Sequence, residues 1–225
     1  FDAGPAPPRG LDAGEAVVMP ALRALGVHRL DVLLLSHGDN DHAGGAAAVR
    51  RGLPVGRVLA PRGWAHGDMA PCLAGERWRW DGVDFELKHP PLPFRYRGNE
   101  SSCVLHVRAG AQAALLPGDI GRHVEARLAR EGALGADVLF VPHHGSESSS
   151  SLDFIAAVRP RLALLSTGRG NRFGLPSARA LARYARYDVP VLDSAGQGAM
   201  ALRLGPGAAP GPWAFRRDQP RWWRH

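Results

Sequence analysis

Lysine is nearly absent from this chain. Among 28 basic side chains only Lys88 is a lysine, so arginine carries almost all of the positive charge. Against 21 acids this leaves a formal net charge of +7, a balance that admits a polyanionic partner. A chain rich in Ala, Gly, Pro and Arg is equally what GC-rich coding produces, so charge alone names no partner. Cysteine is scarce too. Cys72 and Cys103 have no Cys-x-x-Cys spacing for zinc and are too few for a disulfide framework. They could pair if the domain lies outside the cytosol, and the sequence leaves both states open. No apolar run approaches the ~20 residues of a membrane-spanning helix. No Gly-x-Gly-x-x-Gly follows a strand, so no nucleotide cofactor is expected, and no Gly-x-Ser-x-Gly marks a serine hydrolase.

What is present is a length of 225 residues, enough for one large domain with its own core. Its 45% hydrophobic and 22% charged residues are ordinary for a soluble globular protein. The opening Phe1-Asp2-Ala3-Gly4 reads as the end of a strand, so the chain is expected to be a piece of a longer protein. Residues 1–205 are expected to form the domain, and 206–225 a flexible, basic and aromatic tail containing Arg216, Arg217, Arg221, Trp222, Trp223 and Arg224.

One stretch organises the rest. The apolar run 30–35 reads as a buried strand, and straight off its end come Ser36-His37-Gly38-Asp39-Asn40-Asp41-His42, then Gly44-Gly45 and an Ala-rich helix. In an extended loop His37 and Asp39 point one way, which leaves Asp41 and His42 for a neighbouring point. Four N/O donors offered to two adjacent positions suit a pair of divalent metal ions. A calcium EF-hand is excluded, because the later spaced acceptors and the closing Glu are missing.

Further along, 12–25 has helical spacing, 57–60 is a short strand, and 78–87 alternates around Asp81-Gly82 as a hairpin. A second hairpin, 102–108 with 112–116, runs into Pro117-Gly118-Asp119. After a helix at 121–131, a strand at 137–141 ends in Pro142-His143-His144-Gly145-Ser146. Residues 148–151 cap a helix at 152–158. The strand 162–166 leads into Thr167-Gly168-Arg169-Gly170-Asn171-Arg172, and a helix at 177–187 with strands at 190–192 and 199–204 follows. Three strand ends therefore carry His or Asp, and one sheet edge should gather them. The pattern is layered α/β rather than a regular Rossmann alternation.

At these residues the chain resembles the metallo-β-lactamase superfamily, whose signature is His-x-His-x-Asp-His. With Asp39 in place of the second His, it looks like the domain of the ComEC/Rec2 DNA-internalisation (competence) family. The resemblance runs from Asp2-Ala3-Gly4 to about Leu204. It implies a four-layer αβ/βα sandwich with the site on one edge. It also implies metal ligands His37, Asp39, Asp41, His42, Asp119 and a late histidine, either His143 or His144, with His144 favoured and His143 then supporting the ligands or acting as an acid. Where most members have a further metal-binding His, this chain has Gly98-Asn99-Glu100-Ser101-Ser102, and Asn99 offers a carbonyl oxygen or simply turns the chain into the next strand. Oxygen-rich donors favour harder ions, so manganese and magnesium stand beside zinc.

Asp41 and His143 are the expected catalytic groups, and Asn99, Ser146, Arg169, Asn171 and Arg172 the expected substrate contacts. Relatives often have Gly-His-Pro where Gly174-Leu175-Pro176 stands here, so any role of that His is absent. The expected function is metal-dependent cleavage of phosphodiesters in DNA. It would be carried out by a soluble domain on the periplasmic or extracellular side of an inner-membrane protein, degrading one strand while the other enters a channel formed by the same polypeptide. The alternatives are a non-catalytic module that guides DNA by charge, and a two-metal hydrolase of a small phosphoester or lactam.

Overall fold

The computed structural model describes residues 1–205 and 211–219. The chain divides into two compact units, Phe1–Glu76 with Leu87–Val104, and Arg77–Glu86 with Leu105–His225.

In the first unit a π-helical turn, Gly14–Val18, runs into α1 (Met19–Ala24), and together they make up the helix expected at 12–25. β1 (Leu30–Leu34), α2 (Asn40–Ala43), α3 (Ala46–Gly52), β2 (Val55–Pro61) and β3 (Ala70–Cys72) follow. The three strands form a parallel sheet in the order β1-β2-β3, with Leu33 opposite Val58 and Leu34 opposite Leu59. Parallel strands are covered on both faces, and so Leu33, Leu34 and Leu35 form an uninterrupted apolar run, all buried. Met19, Leu33, Leu35, Val49, Leu53 and Val58 make the core. Gly45 is required by close approach: a Cβ there would lie 2.3 Å from the Ala3 carbonyl oxygen.

β3 was not expected in a Pro-rich stretch. As an outer strand with Pro71 at its centre it can omit a ladder donor, and this hides it from a strand search. It carries Cys72, which is disulfide-bonded to Cys103 with Cα atoms 6.1 Å apart. Closing a loop of 31 residues restricts the unfolded chain by about 3–4 kcal/mol. Converting both cysteines to serine should lower unfolding stability by about that amount in a denaturant titration. Reduction of the intact chain should have the same effect.

The second unit holds β4 (Arg77–Trp80), the first part of β5 (Val83–His89), β6 (Val104–Ala109) from Leu105 on, β7 (Gln112–Leu116), α4 (Arg122–Glu131), β8 (Val138–Phe140), α5 (Leu152–Val158), β9 (Leu162–Leu165), α6 (Ala178–Ala185) and β10 (Val191–Asp193). After these come α7 (Ser194–Gln197), β11 (Met200–Ala201), β12 (Trp213–Ala214) and α8 (Phe215–Asp218). The seven-stranded sheet has the order β10-β9-β8-β7-β6-β5-β4. The β4–β5 turn places Asp81 and Gly82 both at positive φ, the backbone that a two-residue hairpin needs. Trp78 and Phe85 stack across it at 5.2 Å, so these aromatics serve as sheet-face residues.

Strands β7, β8, β9 and β10 are mutually parallel, and the first three are followed by α4, α5 and α6 in turn. Their C-terminal ends therefore share one edge. Ser151 and Ser177 cap α5 and α6 with their hydroxyls. In the stretch expected as a tail, β12 pairs with β11, and Arg216 of α8 donates to the Ala195 carbonyl at 2.6 Å. Arg221, Trp222, Trp223 and Arg224 lie outside the described residues.

Candidate metal centre

In the first unit the organising stretch is bent by its own side chains. Asp39 precedes α2 in extended conformation (φ −71°, ψ 148°), and one turn of helix then presents Asp41 and His42. His37 is completely buried at the end of the β1 run. Its Nε2 lies 3.6 Å from Asp39 Oδ2, and His42 Nε2 lies 3.8 Å from Asp41 Oδ2.

The opposite nitrogen of each ring is held from behind. His42 Nδ1 is 2.8 Å from Asp2 Oδ2, and His37 Nδ1 is 3.1 Å from Ser36 Oγ. Asp2 is itself fixed by the Ser36 amide, donating at 2.7 Å, and by the Ser36 hydroxyl, donating at 2.9 Å. The Asp2 amide donates to the Leu34 carbonyl and the Ala3 amide to the His42 carbonyl, so the first residues of the chain are stitched to the site. Tyr96 accepts from the Gly38 amide at 3.0 Å, and Trp64 fills the space a Cβ on Gly38 would need.

In the second unit Asp119 sits just past the end of β7, 5% exposed, and Gly118 at φ 60° makes the turn. His143, His144 and Gly145 all have positive φ, and the His143 amide donates to the Gly118 carbonyl at 3.2 Å. This turn points both imidazoles at Asp119, with His144 Nε2 at 3.5 Å and His143 Nε2 at 4.0 Å. The two rings differ in their backing. His144 Nδ1 donates to the Ser166 carbonyl at 2.8 Å, and because a carbonyl only accepts, Nδ1 carries a hydrogen and in the neutral ring the lone pair is on Nε2. His143 Nδ1 has Ser148 Oγ at 3.4 Å, a looser contact with no fixed direction. Of the two rings, His144 has the firmer Nδ1 contact.

Glu125 of α4 organises this turn from beneath. It is fully buried and accepts from the Ser150 amide at 2.5 Å and the Ser151 amide at 2.7 Å. Burial pushes its carboxyl above the ordinary range, against the pull of those amides and of Arg122. Beside it the Ser150 and Tyr184 hydroxyls are 3.0 Å apart, and burial raises the Tyr184 phenol as well. Arg183 donates to the Ser149 carbonyl at 2.6 Å, and Ser149 Oγ to the Pro142 carbonyl at 2.9 Å.

The His144–Asp119, His37–Asp39 and His42–Asp41 separations, 3.5, 3.6 and 3.8 Å, are longer than an ordinary hydrogen bond. Two donors bound to one ion at about 2.1 Å with a tetrahedral angle are roughly 3.4 Å apart. Rings oriented by an oxygen on Nδ1, with Nε2 at ligand spacing from a carboxylate, fit divalent cations. Removing the backing should weaken binding without touching a ligand. Asp2→Ala is expected to lower metal affinity about 10- to 100-fold in a competition titration with a chelating indicator.

The expected substrate contacts are distributed differently. The Asn99 carbonyl accepts from the Ser102 amide and hydroxyl, so its backbone serves the turn into β6. Ser146 Oγ is 3.0 Å from Ser148 Oγ. Asn171 spends its side-chain amide inside its own loop, donating to Gly168 and Leu175 carbonyls and accepting from the Leu175 amide. Arg169 and Arg172 are exposed. Asp2, Ser36, Tyr96 and Glu125 have no place among the residues read from sequence. Asp2 and Ser36 flank recognisable landmarks, whereas the Ser166 carbonyl, being backbone, leaves no mark in a sequence.

Donors at the ends of parallel strands, in pairs of imidazole and carboxylate, define a metal-dependent hydrolase-like domain. Residues 1–169 match the family model of the Metallo-beta-lactamase superfamily, and the chain belongs to that superfamily and has its fold, which implies divalent metal ions. It is similar to Competence protein ComA of Neisseria gonorrhoeae, 39% identical over 87% of this chain and 28% of ComA. It is also similar to Recombination protein 2 of Haemophilus influenzae, 36% identical over 87% of this chain and 25% of that protein. ComE operon protein 3 of Bacillus subtilis is 29% identical over 84% of this chain and 26% of its own length. The chain thus spans about a quarter of the length of these relatives.

Proposed function

We propose that this chain is the nuclease domain of a DNA-uptake channel, hydrolysing phosphodiester bonds of one strand while the other is taken up. The observation that carries the reading is the set of three histidine–carboxylate pairs whose rings are locked from behind at ligand spacing. His37, Asp39, Asp41, His42, Asp119 and His144 would hold two divalent ions. The equal number of imidazoles and carboxylates suits manganese or zinc, with magnesium the harder option. Bound divalent ions would generate a nucleophile from water near neutral pH and offset the negative charge of the scissile phosphate.

The chain's own groups do the rest. Asp41, with its side chain 55% exposed, is placed to accept the proton of the attacking water. His143, whose Nδ1 has Ser148 Oγ at 3.4 Å, would give a proton to the leaving oxygen. Ser146, Arg169 and Arg172 are side chains that suit phosphate oxygens. The similarity to competence proteins supports DNA as the substrate and a channel portion of the same polypeptide as partner. Among the described residues no helix is long and apolar enough to cross a membrane. The Cys72–Cys103 disulfide supports a location on the oxidising, periplasmic or extracellular side.

The test is cleavage of DNA by the metal-stripped chain, titrated separately with manganese, zinc and magnesium. The reading expects cleavage that returns with one of these ions. Two bound ions with turnover of a small phosphodiester and intact DNA would move the assignment to small esters. DNA binding with no hydrolysis of either would leave a guiding module.

A further inference from the structure

Beyond the ligands, the loop that follows β9 has a construction of its own. It leaves the strand at Ser166, whose carbonyl accepts from His144 Nδ1. It returns at Ser177, whose amide donates to the Gly145 carbonyl at 2.9 Å. Pro176 packs so closely on Gly145 that a Cβ there would lie 2.7 Å from the Pro176 Cβ. Both ends are therefore fastened to the turn that carries His143 and His144.

The span between is stiffened as well. Thr167 Oγ1 donates to Asp193 at 2.6 Å, and the Thr167 amide to Ser194 Oγ at 3.0 Å. Asn171 bridges the loop with its three side-chain hydrogen bonds. So braced, the loop turns its polar Asn171 inward and its aromatic outward. Phe173 is 70% exposed, and the Arg172 guanidinium lies over its ring, 4.9 Å from the centroid.

A rigid support presenting a bare ring with a cation on one face leaves the other face for a planar partner. An unpaired nucleobase is such a partner, and the phosphates on either side of it meet the charges of Arg172 and Arg169. The geometry points to Phe173 and Arg172 as a stacking platform for one unpaired base, making the site selective for single-stranded over duplex DNA. A base inside a duplex is already stacked on both faces and has no free face to offer. This inference rests on the nuclease reading and adds to it which form of DNA the site takes.

The experiment is fluorescence anisotropy of the full, metal-loaded chain with a labelled phosphorothioate oligothymidylate, which resists cleavage, and with a blunt hairpin duplex. Phe173→Ala should weaken single-strand binding about tenfold, and Phe173→Trp should restore it. Its salt slope should match that of the intact chain, whereas Arg172→Gln should reduce the slope by about 0.7. Duplex affinity should hardly change in Phe173→Ala, and melting temperature and metal content serve as folding controls. Single-strand affinity unaltered in Phe173→Ala, or an equal loss on both forms, would overturn the platform. If the intact chain cleaves DNA in that event, only the platform falls. If the intact chain neither binds nor cleaves DNA, both readings fall.

Discussion

Asp119→Ala should reduce metal-dependent DNA cleavage by on the order of 10³-fold or more, about 4 kcal/mol of transition-state stabilisation. The size of the effect follows from its position. Asp119 is 5% exposed, and both His143 and His144 present Nε2 to its Oδ2. Removing it strips the turn of the carboxylate toward which its two rings are aimed, and lowers the negative charge available to a cation. Asp119→Asn separates the two roles, because it keeps the shape and removes the charge. Cleavage should fall nearly as far in Asp119→Asn as in Asp119→Ala. Single-turnover rates at saturating metal measure both, and a loss of less than tenfold in either would place the essential carboxylate elsewhere.

Glu125→Ala should cost about 3 kcal/mol of folding stability, although Glu125 is not among the proposed ligands. Two buried amides, those of Ser150 and Ser151, lose a charged acceptor together, and each unmet buried donor costs about 1–3 kcal/mol. For a chain of this size the melting temperature should drop by roughly 6–12 °C. Metal affinity should fall with it, because the turn of His143 and His144 is continuous with the clamped serines.

The pH dependence has a definite sign. Burial raises the folded carboxyl above its unfolded value, so the folded state holds the proton more tightly. The contribution is therefore complete below the unfolded glutamate pKa and is lost as pH rises through the folded one. Glu125→Gln should abolish that slope, since the amide does not titrate, while leaving one serine amide facing an N–H. Chemical denaturation across pH, comparing intact chain and Glu125→Gln, checks it. Parallel profiles would show that this carboxyl is not perturbed.

Legibility in the sequence followed the period of the signal. The run 30–35, the Asp81-Gly82 hairpin and the serine caps are local patterns, and β1, β4, β5, α5 and α6 formed where those patterns indicate. β3 escaped because Pro71 in an outer strand looks like loop. β12 and α8 escaped because their Trp213–Asp218 stretch is short and its pairing with β11 is distant in sequence. At the site, the histidines and aspartates were visible as clusters after strands. Their backing was not, because Asp2 reaches His42 over a separation of 40 residues and Ser166 contributes only a carbonyl. Asn171 shows the reverse: it looked like a phosphate contact, yet its amide is spent on holding the loop that raises Phe173.

The most direct measurement is the number of divalent ions bound per chain, by elemental analysis after equilibrium dialysis against buffered manganese and zinc. The account predicts two ions on the intact chain, and fewer on His42→Ala and on His144→Ala, each variant remaining folded by circular dichroism. One ion or none on the intact chain, or two on both variants, would contradict it.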